Sequence, residues 1–408
     1  MKILMLSQYY EDAEEKELIN LCNGVVSAAH HKFVKNIFTG LKENKVDVRM
    51  MATLPVGNFP KKCKRLIFNS QSNKDINKIG FINLPYFKHI IRRIRFKKYI
   101  NEWILEDADK PHVVLVYDLY LPFYEALIKD VNNKGIIIIP IIPDIPGKYC
   151  IEYSTYNLIT RVYKNLQYTK VRKLLQRVDG IVALTEAMTT LLGVENKKNI
   201  VMEGIVNIND NVEEYQPFNS SCEKKEVHLL YAGEVSNAVG IDLLIEAFNQ
   251  IDLNLNYYLH ICGKGDAVHI VKMHEDSRII YHGFLNSDEM RMLEKQIDIY
   301  INPRTNDSKF TKYSFPSKNL EYLKTGKPVI AYKLDGIPKE YDGILCYPDD
   351  ETSDALYKKI MDVSQWSISI QRKHREKQMD FIKTKEAMYQ TNRILELAGE
   401  IIDGKTEQ

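Results

Sequence analysis

The 408-residue chain lacks a dominant charge, since 56 lysines and arginines stand against 54 aspartates and glutamates and leave a formal net charge of +2. A balanced chain is no global polycation, so nucleic acid is excluded as a partner and any basic function must be local. Paired cysteine motifs are missing too. Cys22, Cys63, Cys150, Cys222, Cys262 and Cys346 are scattered without a Cys-x-x-Cys, which argues against both a zinc site and a redox motif. Reduced thiols in a cytoplasmic setting are the simplest account. No apolar run reaches membrane-spanning length: Gly135 to Ile142 is interrupted by Pro140 and is only strand-sized. Met1 to Ser7 is too short for a signal peptide and reads as a first strand. The expectation is a soluble or peripheral protein, long enough for two α/β domains with large interiors.

What the chain does contain is a strand and helix alternation of the kind that builds parallel sheets. After the first strand, Gln8 to Asn23 reads as polar and irregular, and Gly24 precedes a helix from about Ser27 to Asn44 with apolar spacing at Phe33, Ile37 and Leu41. His30 and His31 on that helix read as surface or core residues rather than acid–base groups. Strands follow at Val46–Met51, Val113–Tyr117 and Gly135–Ile142, with a helix near Pro122–Val131, a long helix over Tyr156–Val178, and further strands at Asp179–Thr185 and Ile200–Ile205. Ligands of such sheets sit at the carboxyl ends of the strands. That rule singles out Tyr117-Asp118 and Asp144, the latter either a contact near a reacting centre or a turn cap.

The strip Asn207–Glu226 reads as a linker, after which the pattern restarts with strand Val227–Gly233, a loop with Gly240, a helix to Phe248, and strands at Tyr257–Gly263 and Ile279–Phe284. Ser369–Ile402 reads as one long charged helical region. One segment of the first half is basic and apolar by turns: Lys88, Arg92, Arg93, Arg95, Lys97 and Lys98 interleave with Phe87, Ile90, Ile91, Ile94, Phe96 and Tyr99. Two readings stand for it, an amphipathic helix on anionic lipid headgroups and a solvated basic helix.

The densest stretch is Ile297–Tyr341. Ile297–Ile301 reads as a buried strand ended by Asn302-Pro303-Arg304, followed by a loop, Thr305–Pro316, that carries Lys309 and Lys312. Ser317 reads as the cap of the next helix, where free backbone N–H groups favour an anion. Arg304, Lys312 and Lys318 suit a diphosphate, and Glu321, one turn beyond Lys318, suits a vicinal diol such as ribose. An ordinary β-α-β unit with surface lysines is the competing reading.

The words Ile301-Asn302-Pro303-Arg304, Phe310-Thr311-Lys312-Tyr313-Ser314-Phe315-Pro316-Ser317-Lys318, Glu321-Tyr322-Leu323 and Gly326-Lys327-Pro328-Val329-Ile330 resemble the donor-site region of glycosyltransferase family four, in particular bacterial members that build surface polysaccharides. The resemblance implies an α/β, GT-B fold, two Rossmann-like domains with parallel sheets facing a central cleft. It implies an acceptor-binding domain over residues 1–210, a nucleotide-sugar domain over 211–384, and a C-terminal helix from about 385 to 408 packing back on the first. The implied activity is transfer from a nucleotide-sugar, foremost a UDP-sugar, to a glycan or polyprenyl-linked glycan acceptor with retention, on the inner face of the cell membrane. Gly24, Gly233, Gly283, Arg304, Lys312, Ser317, Lys318 and Glu321 are the implied donor contacts, and Asp144, Arg304 and Lys318 the implied catalytic groups. Arg92, Arg93, Arg95, Lys97 and Lys98 would meet the anionic membrane.

No metal or other cofactor is expected, because no Asp-x-Asp stands beside a strand end; Asp349-Asp350 lies in a late loop. The chain departs from the family pattern at Pro143, Glu234, Val239 and Tyr313, where many relatives carry His, Arg, Lys and Glu. A same-fold sugar-nucleotide epimerase and a non-catalytic nucleotide-sugar-binding relative are the alternative functions.

Overall fold

The computed structural model describes residues 1–22, 28–107, 109–130, 135–145, 158–208, 217–218, 226–306 and 311–406. Gly24, Pro146, Lys309, Phe310 and most of the expected linker lie outside the described residues. The chain divides into two compact units, Met1–Ile205 with Glu386–Gln408, and Val206–Lys385.

The first unit opens with β1 (Lys2–Gln8), a 3-10 turn (Asp12–Glu14) and α1 (Glu15–Leu21). The segment expected to be irregular is therefore helical. Its start is fixed locally, because the Glu14 carboxylate accepts from the Glu11 backbone N–H at 2.7 Å and so occupies a donor that would otherwise lack a partner. Then come α2 (Ala28–Glu43), β2 (Asp47–Thr53), the short strands β3 (Ile67–Phe68), β4 (Gln71–Ser72), β5 (Ile76–Lys78) and β6 (Phe81–Ile82), and α3 (Phe87–Leu105). β7 (His112–Tyr117), α4 (Leu121–Asp130), β8 (Ile137–Ile142), α5 (Leu158–Leu175), β9 (Gly180–Ala183), α6 (Glu186–Leu192) and β10 (Lys198–Val201) complete it. The main sheet runs β10-β9-β8-β7-β1-β2-β5-β4, parallel except for β4, with the chain order reversing between β1 and β7. Its central strands β7 and β8 are buried along their whole length and β1 from Lys2 to Ser7, as both-faced parallel strands must be.

The second unit runs β11 (Glu226–Glu234), α7 (Ile241–Asn249), β12 (Asn256–Lys264), α8 (Val268–Met273), β13 (Ile279–Gly283), α9 (Ser287–Glu294), β14 (Ile299–Asn302), α10 (Ser317–Leu323), β15 (Val329–Ala331), α11 (Ser353–Ser364) and α12 (Ile368–Lys383). Its sheet, β13-β12-β11-β14-β15, is parallel throughout and reverses between β11 and β14. Such a reversal is where open α/β sheets bind ligands.

The tail is not one helix. It breaks at Thr384-Lys385-Glu386, and α13 (Ala387–Thr406) belongs to the first unit while α12 belongs to the second. α13 lies against α2 so closely that a Cβ on Gly40 would come within 2.3 Å of the Ala387 carbonyl oxygen. Asn44 fastens the pair by donating to the Met388 carbonyl at 2.8 Å and to the Thr391 hydroxyl at 2.9 Å.

Candidate functional site

The crevice of the second unit arises because β14 stops pairing with β11 early. The ladder joins Leu229 to Ile299 and Leu230 to Tyr300 and goes no further. The next backbone groups of β11 on that side belong to Ala232, and they need partners inside a buried strand. The Tyr322 hydroxyl supplies both, accepting from the Ala232 N–H at 2.8 Å and donating to its carbonyl at 3.0 Å. Stacking on Tyr300, with ring centroids 4.7 Å apart, holds Tyr322 in place. One turn earlier on α10, buried Asn319 accepts from the Asn302 side chain at 2.6 Å. The start of α10 is thereby pinned over the carboxyl ends of β11 and β14.

Ser317 does not cap this helix. Pro316 holds the N-cap position without a side-chain hydrogen bond and Ser317 is the first helical residue, since proline fixes the entry dihedral but offers no acceptor in its side chain. The loop opposite is equally tight. Gly240 has φ +81, and a Cβ there would stand 2.1 Å from the Pro303 carbonyl oxygen, so only glycine lets the β11–α7 loop lie against the end of β14. Ser236 in that loop is buried, and its hydroxyl has no hydrogen-bond partner among the described residues.

Arg304 is half-buried at the rim and donates to the Ser314 hydroxyl at 3.2 Å. Burial lowers its pKa, while Glu234 and Tyr231 at the end of β11 draw it back toward the charged form. Glu234 is thus an electrostatic neighbour of Arg304. Lys318 is exposed and its charge reaches Glu294 and Cys262. Glu294 is raised by burial, with Lys324, Lys327 and Lys318 opposing and Glu321 reinforcing. Glu321 pairs with Lys324 at 2.8 Å, and Lys312 is exposed over the Tyr313 ring at 5.0 Å. Arg304 and Lys318 flank one strand end, whereas Lys312 faces its own neighbour. Gly233 is the penultimate residue of β11, and Gly283 closes β13 with φ +72.

A polar row crosses the same sheet diagonally. His228 Nδ1 meets His260 Nε2 at 3.0 Å, and His260 Nδ1 meets His282 Nε2 at 2.9 Å. Burial pushes His260 down to about 4 and also lowers His282. The nitrogens meet one another rather than a common centre, and among the described residues no group of His, Cys, Asp or Glu is arranged to hold a metal ion. A histidine inside each of three strands was the available signal.

The first unit has its own switch point, between β1 and β7. His30 packs edge-on against Tyr117 at 4.7 Å, hydrogen-bonds the backbone of Gln8, and is pushed down to about 4 by burial. Asp118 follows with φ +71, an unusual conformation for a side-chain-bearing residue, and its carboxylate accepts from the Leu119 N–H at 2.6 Å. Burial raises it. Asp144, at the end of β8, is exposed and accepts from the Ile145 N–H at 2.7 Å.

The basic helix is sorted by the fold. Arg92 is only 2% exposed, donating to the Tyr120 hydroxyl at 2.9 Å and the Leu54 carbonyl at 2.8 Å, with its guanidinium 3.8 Å from the Phe81 ring centre. A residue so placed cannot meet lipid headgroups, which corrects that expectation. Arg93 pairs loosely with Glu125 at 3.7 Å, Arg95 donates to the Gly80 carbonyl at 2.7 Å, and Lys98 reaches Glu102 at 3.8 Å. Lys97 is exposed, and so are Phe87, Ile90 and Ile94. No helix among the described residues is long and apolar enough to cross a membrane.

Residues 226–365 match the family model of glycosyl transferases group 1. An uncharacterized glycosyltransferase of Methanocaldococcus jannaschii is 27% identical over 174 residues, covering 39% of this chain and 43% of that protein. The match spans less than half of that relative's length. Sucrose-phosphate synthase from Thermosynechococcus elongatus superposes with a TM-score of 0.62 at 12% identity, over 98% of this chain and 100% of that one. The lipopolysaccharide outer core galactosyltransferase WaaB gives 0.60 at 13% identity, over 99% and 100%, and a glycosyltransferase from Rickettsia africae gives 0.58 at 15%, over 98% of each. The fold is that of the GT-B glycosyltransferases, and the match to the group 1 model lies within the second unit.

Proposed function

We propose that the protein moves a sugar, with retention of configuration, from a nucleotide-sugar to a glycan or lipid-linked glycan acceptor in the building of a surface polysaccharide, and that UDP-sugars are its donors. The observation that carries this reading is the β11–β14 crevice with Arg304 at its rim, inside the segment that matches glycosyl transferases group 1. Breaking a sugar–phosphate bond leaves a nucleoside diphosphate on which negative charge grows. Arg304 and Lys318 are the cations available at that strand end, and one such contact is worth about 3 kcal/mol in the transition state. In this reading they do the work a metal would otherwise do, and Glu321 turns from Lys324 to the ribose hydroxyls. The acceptor hydroxyl attacks from the face the phosphate leaves, and the departing phosphate oxygen takes its proton. The first unit binds the acceptor, with His30, Asp118 and Asp144 at its strand ends as the polar groups on offer. Its exposed α3 residues Phe87, Ile90, Ile94 and Lys97 support a peripheral seat on anionic lipid.

Glu234 beside Arg304 favours a second reading, a non-catalytic nucleotide-sugar-binding relative, because a resident carboxylate competes with a phosphate. A thermal-shift panel of UDP-, GDP-, dTDP- and ADP-sugars, with and without magnesium, tests both. The expected result is a magnesium-independent rise with UDP-sugars that Arg304→Ala abolishes. Binding without release of UDP in the presence of acceptor extracts would favour the second reading, and no shift with any donor would overturn both.

A further inference from the structure

Outside either switch point, the first unit brings two cysteines together that lie far apart in the chain. Cys22 ends α1 in an extended conformation, and Cys63 faces it across an isolated antiparallel bridge. The Lys64 N–H donates to the Leu21 carbonyl at 2.9 Å, which makes Cys22 and Cys63 the closely spaced, non-hydrogen-bonded pair of that bridge. Such pairs have Cα atoms about 4.5 Å apart, inside the span a disulfide can close. Both sulfurs are reduced and buried in a shell of Tyr10, Leu18, Val56, Phe68 and Phe81.

The surroundings are not inert. Lys88, on the first turn of α3, is buried and donates to the Val56 carbonyl at 3.0 Å. Burial and the nearby Arg92 push it down to about 8, while Cys63 and Cys22 pull the other way. Burial and the Cys63 sulfur push Cys22 up to about 12, with Arg65 and Lys88 opposing. Cys22 is thereby held toward its protonated form, with the Cys63 sulfur beside it. Cys63, 1% exposed, sits in a surface turn whose neighbours Lys61, Lys62, Lys64 and Arg65 are exposed, so a local opening of that turn brings it to a reagent.

We propose that Cys22 and Cys63 form a redox-active dithiol that closes to an intramolecular disulfide by exchange with a small-molecule disulfide. In the first exchange the Cys63 sulfur bonds to one sulfur of the reagent, the reagent's S–S bond breaks, and the leaving thiolate takes up the proton that Cys63 has lost. In the second, the Cys22 sulfur bonds to Cys63, the mixed disulfide breaks, and the Cys22 proton leaves with the second thiol. The protein's two thiols are oxidised by two electrons and the reagent is reduced to two thiols. The new bond ties the end of α1 to the basic turn of residues 61–65.

The test uses the reduced full chain with oxidised glutathione at about pH 8, read by intact mass and by peptide mapping without reductant. The expected product lacks two hydrogens and yields one linked peptide pair, Cys22 with Cys63. Cys22→Ser should stop with one glutathione on Cys63, and Cys63→Ser should leave Cys22 unmodified. Because a variant at a buried site can misfold, phenylarsine oxide provides a measurement on the unaltered chain: one arsenical per protein, blocking both Cys22 and Cys63. Thiols that stay reduced and arsenical-free in the folded protein, or that pair only in urea, would overturn the proposal.

Discussion

Tyr322→Phe removes one oxygen from the molecule and tests whether the β11–β14 crevice is held open as described. The ring keeps its stack on Tyr300, so packing is almost unchanged, yet the Ala232 N–H and carbonyl both lose their partner. Tyr322 is 3% exposed and Ala232 4%, so water cannot replace the hydroxyl without opening the sheet. An orphaned buried N–H costs about 1–3 kcal/mol and the lost carbonyl bond about 1 kcal/mol more, for a total of about 2–4 kcal/mol. With a urea slope of about 2 kcal/mol/M, the second unit should unfold about 1–2 M earlier. The chain's two tryptophans make this readable, because Trp103 lies in the first unit and Trp366 in the second. In a Trp103→Phe background, Trp366 fluorescence reports the second unit alone. A midpoint unmoved by Tyr322→Phe, at unchanged slope, would mean that Ala232 finds other partners and that the hydroxyl does not hold the crevice.

The histidine row predicts acid sensitivity in the same unit. His260 falls from an ordinary 6.5 to about 4, so its neutral form stabilises the fold above pH 6.5, and that stability drains away as pH falls from 6.5 toward 4. Between pH 6.5 and 5 the loss is about 2 kcal/mol; His260→Gln should flatten this part of the urea stability profile, and an equally steep profile would refute the assignment. For the basic helix, Ile90→Asp with Ile94→Asp and Lys97→Gln should reduce co-sedimentation with phosphatidylglycerol vesicles several-fold, and undiminished pelleting would remove α3 from the membrane reading.

Element types were legible because both sheets are built from buried runs such as Val113–Val116 and Ile299–Ile301, whose β-branched character survives any environment. Long-range consequences were not. Glu11 and Glu14 make a helix start out of what reads as a polar stretch, and that depends on a carboxylate reaching back to one N–H. Arg92 looks like its neighbours Arg93 and Arg95 in the sequence, yet helical spacing turns it inward, where Tyr120, Leu54 and Phe81 receive it. The break at Thr384-Lys385-Glu386 leaves the helical periodicity on either side intact, so the tail reads as continuous. Buried Lys385 spends its ammonium on Glu340 at 2.5 Å, a tertiary contact that no local pattern announces.

The residues of the crevice divide along the same line. Arg304, Ser317, Lys318 and Glu321 fall in one short stretch, and a local motif can present them together. What opens the space they border is a failure of strand pairing after Leu230, made tolerable by a tyrosine hydroxyl that stands in for the missing ladder. The glycine at 240 then lets the opposing loop approach to within contact of Pro303. Charge within that space is likewise set by partners distant in sequence, since Glu234 on β11 faces Arg304 beyond β14. A bound diphosphate must compete with that carboxylate, so nucleotide affinity should rise when Glu234 is neutralised if Arg304 is the phosphate contact, and should stay constant if the phosphates lie elsewhere.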